Sequence, residues 1–420
     1  MSRFLTAHAT HPDAHLALAL AAVQIEAQRA VRSSPEPSPQ VATLGLVYLS
    51  DALSAQAEGV LADLRQRWPA VAWVGSVGIG VIASGVEYFD EPALVLMLTD
   101  IAAEHFQVFH GRAPLDGRHA HTALVHADPR THDLPELIAE LAARTASGYL
   151  FGGLASSRQR ALHLAGGVGA GGGFEGGVFE GGLSGVAFTA DVRLISRVTQ
   201  GSQPVGPARR ITACDGNVVL QLDGQPALLA LLGDLGVTLE QPRQALAALR
   251  STLVGLTDAA SDALPRSGQF GSDTRVRHLI GIDPAREAVA VAERVEVGQQ
   301  LAFCRRDVEA ARRDLVRICT EIREEIEADE SAVAHTLSPT PARSAAPATP
   351  SSATRPHIAG AVYVSCTGRG GPHFGGPSAE ALIIQRALGD VPLVGYFAAG
   401  EIARNHLYGY TGVLTVFVEG

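Results

Sequence analysis

The feature that most constrains the fold of this 420-residue chain is a strand–helix–strand pattern that occurs three times. In the first two occurrences an aspartate follows the first strand, and a glycine lies 24 positions later in the second strand: Asp51 with Gly75, and Asp128 with Gly152. In the third occurrence the corresponding glycine is Gly395. Strands that alternate with helices are typical of sheets covered by helices. The sequence therefore predicts an α/β protein with two lobes of repeated strand–helix–strand units, mixed sheets, and glycine-rich strand ends that face a cleft.

The composition is that of a globular chain with many tight turns or close backbone approaches. Hydrophobic residues make up 46% of the sequence and charged residues 18%, but the 45 glycines exceed the usual share of about 7%. The length allows two or three domains. Residues 33–40, rich in proline and serine, are predicted to be a short linker. Residues 329–357, rich in proline, alanine, serine and threonine, cannot bury enough apolar surface to fold and are predicted to be a disordered linker.

Charge and cysteine content exclude several functions. A formal net charge of −10 without a basic patch argues against binding to nucleic acid or to an anionic membrane. No apolar run reaches the ~18–20 residues of a membrane span. The four cysteines form no CxxC pair, which is typical of a reducing compartment. The apolar run Leu16–Val23 is predicted to belong to an amphipathic helix of a cytoplasmic protein, since Pro12 marks a helix start before it.

Polar residues stand at the predicted strand ends of the C-terminal segment. One strand ends in Cys366-Thr-Gly-Arg-Gly-Gly371, and the next ends at Gly400-Glu401. An arginine in a glycine-rich turn presents five donors that suit a carboxylate or a phosphate. We expect Arg369 and the amides of Gly370 and Gly371 to hold the anionic end of a ligand. Glu401 is expected to bind a ligand ammonium or hydroxyl, with a structural ion pair to Arg369 as the alternative.

Open α/β sheets bind ligands beyond the strand ends, where loop backbone and polar side chains converge. Glycines at the remaining strand ends would let a ligand approach the backbone. The predicted ligand-binding residues are Gly75, Ser76, Gly152, Gly153, Ser156, Cys366, Thr367, Arg369, Gly370, Gly371, Gly395, Gly400 and Glu401.

Cys366 also supports an alternative in which the protein is an enzyme. Arg369 and the turn amides would lower the pKa of its thiol, and His373, seven residues later, could act as a base. This alternative predicts a hydrolase or transferase with Cys366 and His373 as catalytic residues. The simpler interpretation is a small buried cysteine that ends a strand. Glu380, in the helix that follows, is expected to complement the helix dipole.

A histidine cluster and a glycine-rich run resemble cofactor motifs, but no cofactor is predicted for either. His119 and His121 alternate, so on a strand they would share one face, and His126 could complete a metal or haem site. No HExxH motif accompanies them, and a surface-loop cluster is the simpler interpretation. Residues 167–172 spell GxGxxG, but no helix follows to hold a pyrophosphate, so a glycine-rich hairpin is expected instead of a nucleotide site.

The residues at the strand ends carry a family resemblance. Val364–Gly370, Val391–Ile402 and Thr411 resemble the C-terminal FIST domain, while Leu46–Gly80 and Gly148–Ser156 resemble its N-terminal partner. The corresponding division places an N-terminal helix and short linker at 1–40, a FIST N-terminal-like domain at 41–215, and a FIST C-terminal-like domain at 216–420, which contains the linker at 329–357.

The resemblance implies a bacterial intracellular sensory module for a small ligand, such as an amino acid or a similar metabolite. Some relatives in the family bind haem and sense nitric oxide, so haem is the alternative cofactor. The sequence contains no kinase, cyclase or receptor domain, so any signal is expected to pass to a separate protein partner.

The function predicted from the sequence is reversible binding of a small zwitterionic or anionic metabolite, without catalysis. No nucleic acid or membrane is expected as a partner. The alternatives that stay open are the Cys366-dependent hydrolase or transferase, a haem-binding gas sensor, and a scaffold whose strand edges bind a protein.

Overall fold

The computed structural model describes residues 4–32, 41–115, 120–168, 172–258, 274–336 and 355–420. The chain divides into two compact units. Unit 1 comprises Met1–Val198, Leu315–Leu407 and Gly412–Gly420, and unit 2 comprises Thr199–Asp314 and Tyr408–Thr411. Both termini therefore belong to unit 1, and unit 2 is an insertion in it.

Seven helices lie in the described residues, and none of these is long and apolar enough to span a membrane. The apolar residues of 307–329 recur at helical spacing with charges opposite, which predicts an amphipathic helix. They form the buried face of α6 (Val308–Thr336), whose end lies inside the segment predicted as a linker. The predicted linker residues 33–40 and 337–354 lie outside the described residues. The helices are α1 (Ala14–Arg32), α2 (Ala57–Arg67), α3 (Leu134–Ala143), α4 (Ala227–Leu235), α5 (Pro242–Ser251), α6 (Val308–Thr336) and α7 (Ala379–Leu388).

The strands of the first half of unit 1 include β1, which precedes the first predicted element. They are β1 (Phe4–Thr10), β2 (Leu44–Ser50), β3 (Ala72–Gly78), β4 (Gly80–Ala83), β5 (Val86–Phe89), β6 (Ala93–Thr99), β7 (Phe106–Phe109), β8 (Thr122–Ala127), β9 (Tyr149–Leu154), β10 (His163–Val168), β11 (Phe174–Phe179), β12 (Leu183–Phe188) and β13 (Leu194–Gln200).

The remaining strands belong to unit 2 and to the return of the chain through unit 1. In unit 2 they are β14 (Ser202–Pro204), β15 (Arg209–Asp215), β16 (Val218–Leu222), β17 (Gln225–Pro226), β18 (Thr252–Thr257), β19 (Arg275–Asp283), β20 (Ala288–Val291) and β21 (Gln300–Arg306). After α6 they are β22 (His357–Cys366), β23 (Leu393–Ala398), β24 (Glu401–Arg404), β25 (His406–Tyr408) and β26 (Thr411–Glu419).

Unit 1 contains three six-stranded mixed sheets, which agree with the predicted α/β class. Sheet 1 has the order β1-β6-β2-β3-β10-β11, sheet 2 the order β25-β24-β9-β8-β12-β7, and sheet 3 the order β13-β26-β22-β23-β4-β5. The two central strands of each sheet are parallel and are connected through a helix, α2, α3 or α7. The strands that flank these central pairs run antiparallel to them.

The three sheets exchange hairpins. The hairpin β4–β5 follows β3 of sheet 1 but pairs with β23 in sheet 3. The hairpin β10–β11, which the sequence predicts, follows β9 of sheet 2 but pairs with β3 in sheet 1. β24 follows β23 of sheet 3 but pairs with β9 in sheet 2. Each sheet therefore receives a hairpin from a different sheet, and backbone hydrogen bonds close the connection among all three.

Each central parallel pair contains a glycine whose hydrogen atoms face the neighbouring backbone. A Cβ atom on Gly75 would lie 1.8 Å from the carbonyl oxygen of Val47. The same contact would be 2.0 Å at Gly152, against Val125, and 1.8 Å at Gly395, against Tyr363. These distances exclude any side chain, so the glycines at these strand positions serve the packing of the sheet.

The core of sheet 1 is covered by α1 and α2. The helix α1 buries an alanine-rich stripe, which lets its backbone approach the sheet closely, and α2 adds branched side chains beside it. On the opposite side of α1, Leu16, Leu20 and Val23 are exposed. The buried residues of the two helices are Ala14, Ala17, Leu18, Ala21, Ala22, Ile25, Ala57, Val60, Leu61 and Leu64.

Unit 2 is a single antiparallel sheet whose pairing closes on itself. The strand order is β14-β21-β15-β16-β20-β19-β18, and β18 also pairs with β21 over Thr252–Thr257. The helix α4 packs its buried face, Ala227, Leu228 and Leu231, into the core of this sheet. An Arg209–Asp234 ion pair, with N–O distances of 2.6 and 2.8 Å, fixes β15 to α4.

Candidate functional site

Some of the residues predicted to bind a ligand lie where strands of the three sheets of unit 1 end, whereas Gly75, Gly152 and Gly395 lie inside β3, β9 and β23 and not at their ends. Ser156 shows the meeting of strand ends most directly, because it contacts two of the other strand ends. Its backbone N–H donates to the Val77 carbonyl at 3.1 Å, and the Ile79 N–H donates to its hydroxyl oxygen at 2.8 Å. The Ser156 hydroxyl in turn donates to the carbonyl of Phe397. The ends of β3 and β23 therefore meet at Ser156, while the predicted ligand cleft stays a prediction.

Gly153, Gly400 and Glu401 lie together at the same junction. Glu401 is opposite Gly153 in the antiparallel pairing of β24 with β9, and the Leu154 N–H donates to the Gly400 carbonyl at 2.8 Å. Glu401 is fully buried. Of the thirteen predicted ligand residues, only Thr367 and Gly371 are not buried. The strand ends are thus packed against one another.

The Arg369 guanidinium binds Glu380. Its Nε and Nη2 atoms lie 3.0 and 2.9 Å from Glu380 Oε1, and both side chains are fully buried. Tyr363 donates to the same carboxylate at 2.5 Å, and Ser365 donates at 2.9 Å. Glu380 therefore does more than complement the dipole of α7. Arg369 therefore forms a buried ion pair with Glu380, and its pairing with Glu401 stays a prediction.

A second carboxyl group stands beside this cluster. The Ala381 N–H donates to Glu87 Oε1 at 2.8 Å, at the start of α7. Burial, and then the nearby Glu380 carboxylate, raise the pKa of Glu87 to about 7. Burial and the same carboxylate raise the pKa of Tyr363 well above its usual value, so the phenol stays protonated as a donor.

Cys366 is the last residue of β22 and is 8% exposed, opposite Ala398 of β23. His373 is half-buried in the short turn Gly371–Phe374, and its ring contacts Phe374 edge-on, with ring centroids 5.7 Å apart. Nothing described in these contacts tests the nucleophilic role, which stays a prediction.

Three aromatic side chains from the three sheets form a buried cluster that the sequence did not indicate as such. The Tyr48 hydroxyl lies 3.2 Å from His126 Nε2, and the Tyr48 ring stacks on Tyr396 with centroids 4.9 Å apart. Burial, and then the positive charge that His163 carries when protonated, lower the pKa of His126 to about 3, so the imidazole is neutral. A neutral buried histidine in contact with two tyrosines is typical of a structural polar core.

The histidines predicted as metal or haem ligands lie in different surroundings. His121 is exposed just before β8, whereas His126 is buried on that strand, and His119 lies outside the described residues. The GxGxxG run also lies partly outside them, at residues 169–171. Among the residues that the structure describes, no group of three or more histidine, cysteine, aspartate or glutamate side chains is placed to hold a metal ion.

A cavity of about 310 Å³ opens in unit 1 between β13, the start of β8 and β9, and α6. Its charged lining residues are Arg193, Arg197 and Glu325, and several hydroxyl groups stand beside them. An apolar wall completes it. The lining consists of His121, Thr122, Ser147, Tyr149, Phe151, Ala190, Val192, Arg193, Leu194, Ile195, Ser196, Arg197, Glu325 and Thr415.

Ion pairs cross the cavity wall from β13 to α6. Arg197 Nη2 contacts Glu325 Oε2, and Arg197 Nε lies 3.5 Å from Glu321 Oε2. The Arg197 Nη1 donates to the Ser196 carbonyl at 2.9 Å, and the Ser196 hydroxyl lies 2.8 Å from that of Thr415. The Arg197 guanidinium thus has two acidic partners on the helix and a backbone carbonyl as acceptor on its own strand.

Tyr149 lies at the same place on the cavity wall. Burial raises the pKa of its phenol, although a hydrogen bond with Ser196 and the positive charges of Arg404 and Arg197 act in the opposite direction. The phenol is therefore a neutral hydrogen-bonding group next to two guanidinium groups. The carbonyl of Tyr149 accepts a hydrogen bond from the Thr122 hydroxyl at 2.6 Å, which fixes β9 to β8.

Sequence reasoning missed this cavity, apart from His121 as a candidate metal ligand. Its two arginines and Glu325 are about 130 positions apart, and no short motif joins them. The available signals were Arg197 on β13, a strand of mixed exposure, and the acidic pair Glu321 and Glu325 one helical turn apart on α6.

Comparisons with known proteins cover nearly all of the chain. The model of the FIST N domain matches residues 43–225, and the model of the FIST C domain matches residues 227–404. The uncharacterized protein Mb0898c of Mycobacterium bovis is 29% identical over 426 residues, covering 98% of this chain and 97% of that protein. The uncharacterized protein Rv0628c of Mycobacterium tuberculosis is 28% identical over 412 residues, covering 94% of this chain and 96% of that protein.

Proposed function

Because the chain belongs to the FIST family, whose domains are sensory domains, we propose that this protein reversibly binds an amino-acid-like or anionic metabolite and signals through a separate partner. The observation that carries this proposal is the cavity bounded by Arg193, Arg197 and Glu325 in unit 1. Its volume of about 310 Å³ falls at the lower end of the range for small-molecule sites, which is roughly 300–1,000 Å³.

The charges of the cavity support a ligand with an anionic end. Two guanidinium groups and one carboxylate line it, and Glu321, which also pairs with Arg197, stands beside the lining. Guanidinium groups bind carboxylates and phosphates in a bidentate manner, and the hydroxyls of Ser196 and Thr415 can donate to the same oxygens. In this proposal the anionic end of the ligand binds Arg193 and Arg197.

The apolar residues of the lining suit a small apolar body. Phe151 and Ile195 are buried side chains that line the cavity beside Leu194 and Val192. Sites for small molecules commonly combine such apolar walls with a few polar groups that fix the orientation of the ligand. The cavity therefore favours a metabolite with one charged end and a short apolar part over a polyanion such as a nucleotide.

The strand-end residues remain a second proposed location for the ligand. In that version Arg369, the amides of Gly370 and Gly371, and Glu401 hold the ligand's charged groups. The full burial of Arg369 and its contact with Glu380 favour a structural role for this group instead. The cavity is the better supported of the two locations, since it combines open volume with charged groups.

A thermal-shift screen of amino acids, short carboxylates and nucleotides tests the function and the location together. We expect a ligand with one anionic end to stabilise the wild-type protein, and Arg193→Gln to remove most of that shift. Arg323→Gln, an exposed arginine of α6, is the matched control and should leave the shift unchanged. A ligand that shifts wild type and Arg193→Gln equally would remove the cavity as its site; no stabilising ligand at all would argue against sensing of these metabolites.

We also propose that unit 1 consists of three copies of one strand–helix–strand unit. The support is the common position of Gly75, Gly152 and Gly395, each opposite the carbonyl of its parallel neighbour. The exchange of hairpins among the three sheets would follow if each copy donates its hairpin to another copy. In this proposal the glycine-rich strand ends reflect a shared architecture.

A further inference from the structure

We propose that Glu325 competes with the ligand for Arg197. Its carboxylate binds the Arg197 guanidinium, and an anionic ligand that displaces this carboxylate releases the C-terminal end of α6 from β13. The inference rests on the proposed function, because it concerns the same cavity. It adds a determinant of affinity and a way in which binding could change the structure of the protein.

The contacts of Arg197 define the competition. This side chain is 32% exposed, and its partners Glu321 and Glu325 are 37% and 42% exposed. Both acids lie on the same helix, one turn apart, and Glu321 is also bound by Arg317 of α6 at 2.5 Å. Glu325 therefore depends on β13 for its ion pair, whereas Glu321 has a partner within its own helix.

Solvent exposure makes the pair exchangeable. Ion pairs in contact with water contribute little net stability, because solvent screens the charges and the side chains lose entropy when they are held together. A ligand carboxylate at Arg197 would keep the charge pairing and would gain hydroxyl donors from Ser196 and Thr415. Displacement of Glu325 then costs little free energy. The affinity of the ligand is set by the difference between its own interaction with Arg197 and that of Glu325.

The packing of α6 limits how much of the helix can respond. Its apolar face, from Ala311 through Ile322, is fully buried, so this part stays in place whatever occupies Arg197. Beyond it Ile326 is the last buried side chain described, at 8% exposure. The contact of Glu325 with Arg197 therefore lies beyond the fully buried part of the helix, Ala311 through Ile322. Loss of that contact should loosen only the turns that follow.

Hydrogen exchange without any ligand is the first test. We expect Glu325→Gln to increase amide exchange in residues 323–336 and to leave residues 311–320 unchanged. Glu327→Gln, whose exposed ion pair is with Arg323 on the same helix, is the matched control and should behave as wild type. Equal amide exchange in Glu325→Gln and Glu327→Gln would overturn the proposal that the Glu325–Arg197 ion pair stabilises the end of α6.

Inorganic phosphate is the probe for the competition itself. Titration at constant ionic strength should show that Glu325→Gln binds phosphate more tightly than wild type, by a factor of up to about five, since it lacks the competing carboxylate. Phosphate added to wild type should reproduce the exchange pattern of Glu325→Gln. Weaker or unchanged phosphate binding in Glu325→Gln would overturn the competition.

The outcomes also separate this inference from the proposed function. Suppose that no metabolite stabilises the wild-type protein, but that Glu325→Gln shows faster amide exchange in residues 323–336 and tighter phosphate binding. The proposed sensing then fails, and the competition between Glu325 and anions for Arg197 stands. If a metabolite binds in the cavity and Glu325→Gln changes neither exchange nor phosphate affinity, the sensing stands and the competition fails.

Discussion

At the residue scale, Glu380 is the acceptor of a buried network in unit 1. Tyr363, Ser365 and Arg369 all donate to its carboxylate, and none of these groups is exposed to solvent. A buried charge that loses its partner cannot recover hydration. Removal of any one side chain of this network should therefore destabilise the fold. This requirement explains an arginine in the Gly-Arg-Gly-Gly turn without reference to a ligand.

Removal of the Arg369 side chain should therefore destabilise the fold strongly. We expect Arg369→Ala to lower the free energy of unfolding by about 3–5 kcal/mol, measured by urea denaturation. Arg323→Ala, which removes an exposed arginine of α6, should change it by less than about 1 kcal/mol. Similar losses in the two variants would show that the Arg369–Glu380 pair is not the structural element that its burial indicates.

The neighbouring Glu87 predicts a pH dependence. Its pKa of about 7 in the folded protein lies above the ordinary value of 4.5, so the folded state binds more protons between these values. The stabilising contribution of this group is full below about pH 4.5 and is lost as the pH rises through 7. Glu87→Gln should remove this loss: relative to wild type, its stability should improve by on the order of 1 kcal/mol between pH 5 and pH 8. Urea titrations at several pH values measure the difference, and parallel pH profiles would contradict the assignment.

At the element scale, the central parallel pairs of the three sheets depend on glycine. Gly75→Ala should destabilise the protein by several kcal/mol, roughly 3 or more, because its Cβ would lie 1.8 Å from a backbone oxygen that the sheet holds in place. Gly177→Ala on β11, where a Cβ would meet nothing within 4 Å, is the matched control and should change stability by about 0.5 kcal/mol or less. A tolerated Gly75→Ala in the same urea assay would show that β2 and β3 can separate.

Much of the element order could be predicted from the sequence. The apolar runs and helix patterns placed the central pairs β2 and β3, β8 and β9, and β22 and β23, and the periodicity of α6 was clear. The exchange of hairpins could not be predicted, since a short glycine-rich hairpin carries no signal for the sheet that it joins. Partner choice in a sheet depends on contacts between residues far apart in sequence.

At the scale of the whole molecule, the family models and the compact units divide the chain differently. The FIST N and FIST C models meet near residue 226, which lies in β17 of unit 2. Unit 2 therefore takes its strands from both models, and unit 1 is completed by the return of the chain after α6. The N-terminal and C-terminal halves are for this reason not independent folding units in the structure.

The same long-range construction explains why the cavity escaped prediction. Arg193 directly precedes β13 and Arg197 lies on it, whereas α6 supplies Glu325 only after the chain has passed through unit 2. The strand-end motif around Arg369 was visible because its residues are contiguous. Contiguous glycines and a turn arginine indicate where the backbone must pack tightly. They do not indicate where a cavity will form.

The most direct test of the central claim is the dissociation constant of the best ligand from the screen, measured by titration calorimetry for three proteins. Wild type and Arg323→Gln should bind it equally. Arg193→Gln should bind it about 10- to 100-fold more weakly, the loss expected for a hydrogen bond between charged groups. Unchanged affinity in Arg193→Gln would contradict the assignment of the cavity as the sensory site.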